Sequence, residues 1–236
     1  MAAWLERAAG PAGLPLALVY LELAAAMTLL STVLHFRSLG RKKGGLRAAR
    51  LYFIFFFGLM LAGPCLVAWT AAPDPAALLR TFGWTFGRAR LGGILTLTGL
   101  APAILSGFIA SRDPEMLKMY PFAKGALAGI RAFIGYEACY LVLYYLPWEF
   151  VFRGALFLPL VPAVGLIPAL AIQTTVSTLL HIGHPKTEVF AAAGAGLVFG
   201  LVASATGSFF YTFVLHAATG IAADTFIFLR RGARSA

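Results

Sequence analysis

In the stretch PWEFVFRG (147–154), Glu149 and Arg153 stand one helical turn apart inside a run that is otherwise apolar. Two imidazoles follow on separate apolar runs, His181 in STLLHIGHP (177–185) and His216 in TGSFFYTFVLHAATG (206–220). Residues four apart share a helix face, so Glu149 and Arg153 can form a charge-assisted pair. That pair has two readings. It can simply neutralise itself so that the helix inserts, or it can hold a carboxylate ionised for chemistry. An ionisable group inside a bilayer is costly unless paired, which makes each one a candidate functional group. A lone intramembrane histidine commonly bonds one helix to another. A carboxylate and two imidazoles on three runs make a more capable set, since together they can take a proton from water and donate to a developing oxyanion.

The elements that must position these groups are membrane helices. Of 236 residues, 60% are hydrophobic and 12% charged. Crossing a hydrocarbon core takes about 20 mostly apolar residues. The length therefore accommodates about seven or eight spans in an all-α polytopic transmembrane bundle, one integral membrane domain covering residues 1–236. Apolar runs are expected near 14–36, 51–72, 91–111, from 132 onward, and near 166–183, 188–205 and 207–229. The segment 112–131 mixes charge with apolar residues and suits a cytoplasmic loop containing an interfacial helix. Gly196 and Gly200 stand at the spacing that lets two helix backbones approach closely.

A net charge of +10 would suggest nucleic acid in a soluble protein. Here Arg37, Arg41, Lys42, Lys43, Arg47 and Arg50 follow the first run, and Arg230, Arg231 and Arg234 follow the last. That is the positive-inside pattern, so the charge reads as topology and no nucleic-acid partner is expected. Seven spans would put the N-terminus outside and the C-terminus in the cytoplasm. Cys65 and Cys139 lie inside apolar runs without C-x-x-C spacing and read as packing residues. The beginning of the chain lacks the basic region and cleavage site of a removable signal peptide.

Together the three stretches resemble, in order and spacing, the signatures of the CPBP intramembrane proteases, also called the ABI or CAAX-protease family, which includes the Rce1-type prenyl-protein endopeptidases. The resemblance covers about the C-terminal hundred residues, with a catalytic core expected over 132–229, and its specificity lies in the set. It implies peptide hydrolysis without a covalent intermediate and without a cofactor or metal. Glu149, assisted by His181, would activate water, His216 would stabilise the oxyanion, and Arg153 would orient Glu149. The implied partners are a membrane-anchored protein or peptide substrate and the lipid bilayer, in a bacterial-type cytoplasmic membrane. A myxosortase-like branch acting on C-terminal sorting tails is one option within the family.

The chain departs from the family pattern at three places. Trp148 stands where the family has the first of two glutamates, leaving Glu149 as the carboxylate of the motif. Ser177 replaces an aromatic residue four before His181, and Gly220 replaces the Asn or Asp four after His216. Thr219 is a nearby donor, whereas Asp224 lies eight beyond His216, about 12 Å along a helix. His184, three after His181, could complete a two-His-one-carboxylate metal set with Glu149, although Gly183 and Pro185 should carry it into a loop. Glu22 and Glu137 read as helix-to-helix hydrogen bonders, and His35 stands at the end of a span. Depth is a difficulty, because Glu149 falls towards the outer side and His181 towards the inner. A helix break or re-entrant segment beginning at Pro147 would bring them level. Two other functions remain open: a catalytically silent relative acting as a scaffold or immunity protein, suggested by Trp148 and Gly220, and a small proton-coupled transporter using buried Glu and His as a relay.

Overall fold

The structure is a computed structural model and describes residues 13–33 and 45–235. His35 and the basic residues Arg37, Arg41, Lys42 and Lys43, like the start of the chain, lie outside the described residues. Apolar runs whose backbone groups must bond internally in lipid have one local solution, the helix. The chain forms α1 (Gly13–Thr32), α2 (Leu46–Ala71), α3 (Pro75–Thr81), α4 (Ala89–Ala110), α5 (Pro114–Met119), α6 (Ile130–Val164), α7 (Leu166–Leu179), α8 (Lys186–Thr206) and α9 (Phe210–Ser235). Among the described residues, six helices are long and apolar enough to cross a bilayer: α1, α2, α4, α6, α8 and α9. The protein is an all-α integral membrane bundle. The two short connecting helices begin in the same way, with an aspartate cap followed by proline. Asp74 accepts from the Ala77 amide at 2.8 Å and Asp113 from the Glu115 amide at 2.8 Å.

Two sequence expectations are corrected. The expected span at 166–183 is only the 14-residue α7, which at about 1.5 Å per residue falls short of a hydrocarbon core about 30 Å thick. It stops at Leu179 because Gly183 adopts φ +96° and Pro185 cannot continue a helix. The second correction concerns Pro147, where the helix does not break. Proline removes an amide donor and would clash with the carbonyl four residues earlier. In α6 the hydrogen-bond register widens to a π turn over Leu141–Tyr145 just before it, and again over Phe150–Ala155. The helix runs through the proline and emerges with its face re-aimed.

Aromatic packing joins α6 to α2. Phe53 stacks on Tyr140 at 5.0 Å, and Phe56 on Tyr144 at 4.4 Å and on Trp148 at 6.1 Å between ring centroids. Close backbone approach joins the other pairs. A Cβ at Gly107 of α4 would stand 2.3 Å from the Thr219 carbonyl oxygen of α9, and one at Gly200 of α8 would meet Leu170 and Gln173 of α7. Gln173 closes that second contact by donating to the Gly196 carbonyl at 2.7 Å. The close approach expected at Gly196 and Gly200 is thus made by α7 against α8. Outward faces such as Leu97, Leu105 and Ile109 of α4 are left for lipid.

Candidate active site

Glu149 lies on α6 between the two π turns and has no accessible surface. Its Oε1 accepts a hydrogen bond from His216 Nδ1 of α9 at 2.7 Å. Its Oε2 stands 3.3 Å from Arg153 Nε, which is also buried. This second contact is an ion pair by distance without the alignment of a hydrogen bond, so Arg153 Nε and Nη1 keep unused donors. The Thr212 hydroxyl, one turn before His216, has a single proton. It can give that proton to the Phe209 carbonyl at 2.8 Å or to the Glu149 carboxylate. Carboxylate and guanidinium therefore stay paired across the second π turn, and an imidazole from another helix completes the cluster.

The hydrogen bonds fix the tautomers of the neutral rings. A carboxylate accepts only, so the His216 proton is on Nδ1 and the lone pair is on Nε2. The same reasoning applies to His181, whose Nδ1–H donates to the Ser177 carbonyl at 2.8 Å and leaves Nε2 as an acceptor. The Glu149 side chain is fully enclosed, whereas that of His216 is 23% exposed. The accessible end of the cluster is therefore an imidazole with a basic nitrogen, and the carboxylate stands behind it.

Trp148 stands between the two histidines. Its ring meets His181 at 4.9 Å and 72°, and His216 at 6.3 Å and 79°. It also lines a cavity of about 280 Å³ with Met27 and Leu30 of α1, Tyr52, Phe56 and Met60 of α2, and His184. Glu149, His181 and His216 do not line that cavity, so the indole forms a wall between it and the acid–imidazole cluster.

The other candidates fall elsewhere. Thr219 donates to the Leu215 carbonyl of its own helix at 3.1 Å. Asp224 is buried against Glu137, more than two turns along α9 from His216. His184 is held by Glu188 Oε1 at 2.9 Å and by the Tyr120 hydroxyl at 3.1 Å, while Tyr120 donates to Glu188 at 2.6 Å. Burial pushes the Tyr120 hydroxyl's pKa well up, which keeps it a proton donor to Glu188. Nearby, the Thr187 hydroxyl donates to Asp113 at 2.6 Å and, with the Glu115 amide, holds that carboxyl below its ordinary range.

A family model described as Rce1-like, type II CAAX prenyl endopeptidase Rce1-like, matches residues 133–222. Over that segment the chain is similar to the Rce1-like family. The match begins early in α6 and ends in α9, and so contains Glu149, Arg153, His181 and His216. The description of the matched family is that of an endopeptidase. No match was found among curated proteins or among solved structures.

Sequence reasoning did not single out Tyr145. A Cβ at Gly220 would stand 1.6 Å from its hydroxyl oxygen, and its ring lies 5.0 Å from that of His216. The available signal was the spacing of Tyr145 four before Glu149, which repeats the relation of Glu149 to Arg153.

Proposed function

We propose that this protein is an intramembrane endopeptidase of the Rce1-like kind in which His216 meets the attacking water and Glu149 orients it. The observation that carries this reading is the 2.7 Å bond from His216 Nδ1 to an enclosed Glu149, which leaves Nε2 as the basic, accessible nitrogen. The family resemblance assigns proton abstraction to Glu149 and oxyanion stabilisation to His216; the geometry favours the reverse order of contact. The carboxylate fixes the tautomer and stabilises the imidazolium that forms when the ring takes a proton from water. Arg153 keeps the carboxylate charged. His181, with its own Nε2 free of the Ser177 contact, faces the same indole and stands ready to accept a hydrogen bond from water or substrate amide. Substrates are membrane-anchored proteins or peptides, and the setting is a bacterial-type cytoplasmic membrane with the catalytic core over 132–229.

The test compares Glu149→Gln, His181→Ala and His216→Ala with the wild type. Cleavage of a membrane-anchored reporter is followed in cells, and expression is checked by immunoblot. Loss of cleavage in all three at normal expression is the expected result. Full cleavage in His216→Ala would remove the imidazole from the chemistry.

A second reading is a catalytically silent relative that acts as a scaffold. Trp148 in place of a carboxylate favours it, because the indole shuts the cavity off from Glu149. Preserved biological function in all three variants would select it.

A further inference from the structure

Gly220 is one turn beyond His216 on α9, and its missing side chain has a specific tenant. A Cβ there would stand 1.6 Å from the Tyr145 hydroxyl oxygen and 2.6 Å from its Cζ, so no other residue type fits while the phenol is in place. Because Cα–Cβ bonds tilt towards a helix N-terminus, a side chain at 220 would rise along the face that carries His216. The phenol occupies that space from the opposite helix. Tyr145 is buried, and its ring packs against His216 at 5.0 Å and 65°. It also precedes Glu149 by one turn of α6, so the imidazole of His216 is held at Nδ1 by the carboxylate and along its ring by the phenol. A further contact with Tyr140, at 4.4 Å between ring centroids, fixes the phenol itself.

We propose that Tyr145 is a positioning residue of this site, its phenol taking the place of a side chain at position 220 and setting the plane of the His216 ring. Gly220 is then the notch that admits it. An aromatic ring delivered from α6 fills the space that α9 leaves open beside His216, and the glycine belongs to the site. The inference rests on the reading of His216 as the working base.

Two measurements test it. The first is histidine ring-nitrogen NMR of the full chain in nanodiscs of phosphatidylethanolamine and phosphatidylglycerol, with His216 assigned by the signal lost in His216→Ala. The second is steady-state hydrolysis of two internally quenched peptides, one with a farnesylated cysteine tail and one with an unmodified hydrophobic tail. Tyr145→Leu removes the ring that packs on His216 and keeps an apolar side chain of comparable length. It is expected to shift the His216 nitrogens and lower kcat on the order of 10²-fold with KM unchanged, the scale of a small misplacement of a reacting group. Gly220→Ala should do the same by displacing the phenol, and should add no further effect in a Tyr145→Leu background, where the clash is gone. Unmoved His216 signals in Tyr145→Leu, or a wild-type kcat in that variant beside an inactive Glu149→Gln, overturn the proposal and leave the protease reading standing. A wild type that cuts neither peptide counts against the protease reading, and the NMR arm still decides the role of Tyr145.

Discussion

Arg153→Met removes the charge next to Glu149 while keeping most of the buried volume. The 3.3 Å separation gives an attraction of roughly 5 kcal/mol at an effective dielectric of about 20. Removing one member of a buried pair typically costs about 3–5 kcal/mol, because the remaining charge loses its partner and has no water to replace it. Glu149 has no accessible surface, so the upper part of that range applies. Its remaining partner, His216, still donates from Nδ1 at 2.7 Å. The assay is thermal or denaturant unfolding in mild detergent of Arg153→Met, Glu149→Gln and the double variant. The expected result is a large loss in Arg153→Met that shrinks by at least about half in the double variant, because the glutamine leaves no charge to strand. Equal losses from Arg153→Met in the wild-type and Glu149→Gln backgrounds would refute the reasoning, since the arginine would then act through packing alone.

Other outcomes follow from neighbouring contacts. Gly154→Ala should destabilise the fold and reduce cleavage, because its Cβ would stand 2.4 Å from the Phe82 carbonyl oxygen and would push the Arg153 turn away from its seat; unfolding and activity that match wild type would show that the backbone yields freely there. Trp148→Ala should cost about 3–5 kcal/mol of stability and join the cavity to the acid–imidazole cluster. Faster labelling of His181 and His216 by diethyl pyrocarbonate reports the opening, and unchanged labelling would mean that the indole is not the wall. The depressed pKa of Asp113 makes its contribution to folding fully present above its unfolded-state pKa and lost as pH falls through the folded-state value. Thr187→Val should raise the Asp113 midpoint in carboxyl 13C NMR, and an unmoved midpoint would exclude the Thr187 hydroxyl as the cause.

Much of the architecture was legible because hydropathy is read residue by residue. Runs such as 91–111 and 188–205 became α4 and α8 with boundaries displaced by one or two residues. The meeting of Glu149 with His216 was legible through the order of three short stretches. The roles of the two groups were not, because which nitrogen of His216 faces Glu149 depends on how α9 is rotated against α6. Pro147 signalled a disturbance without revealing its form: a π turn is a change of hydrogen-bond register, and no residue type marks it. The short α7 was hidden because Leu180, Ile182 and their neighbours continue the apolar run after the helix has ended. Gly220 read as a missing side chain, since the phenol that fills its space arrives from 75 positions earlier in the chain, at Tyr145.

The cavity beside Trp148 draws part of its wall from Met27 and Leu30 of α1 and from Tyr52, Phe56 and Met60 of α2, all upstream of the core that the family model matches. Chains that share this core but differ at those five positions would keep the same acid and imidazoles beside a cavity of different shape. Under the proposed protease reading, exchanging α1 and α2 between such chains would reshape the space behind the indole while leaving Glu149, His181 and His216 where they are.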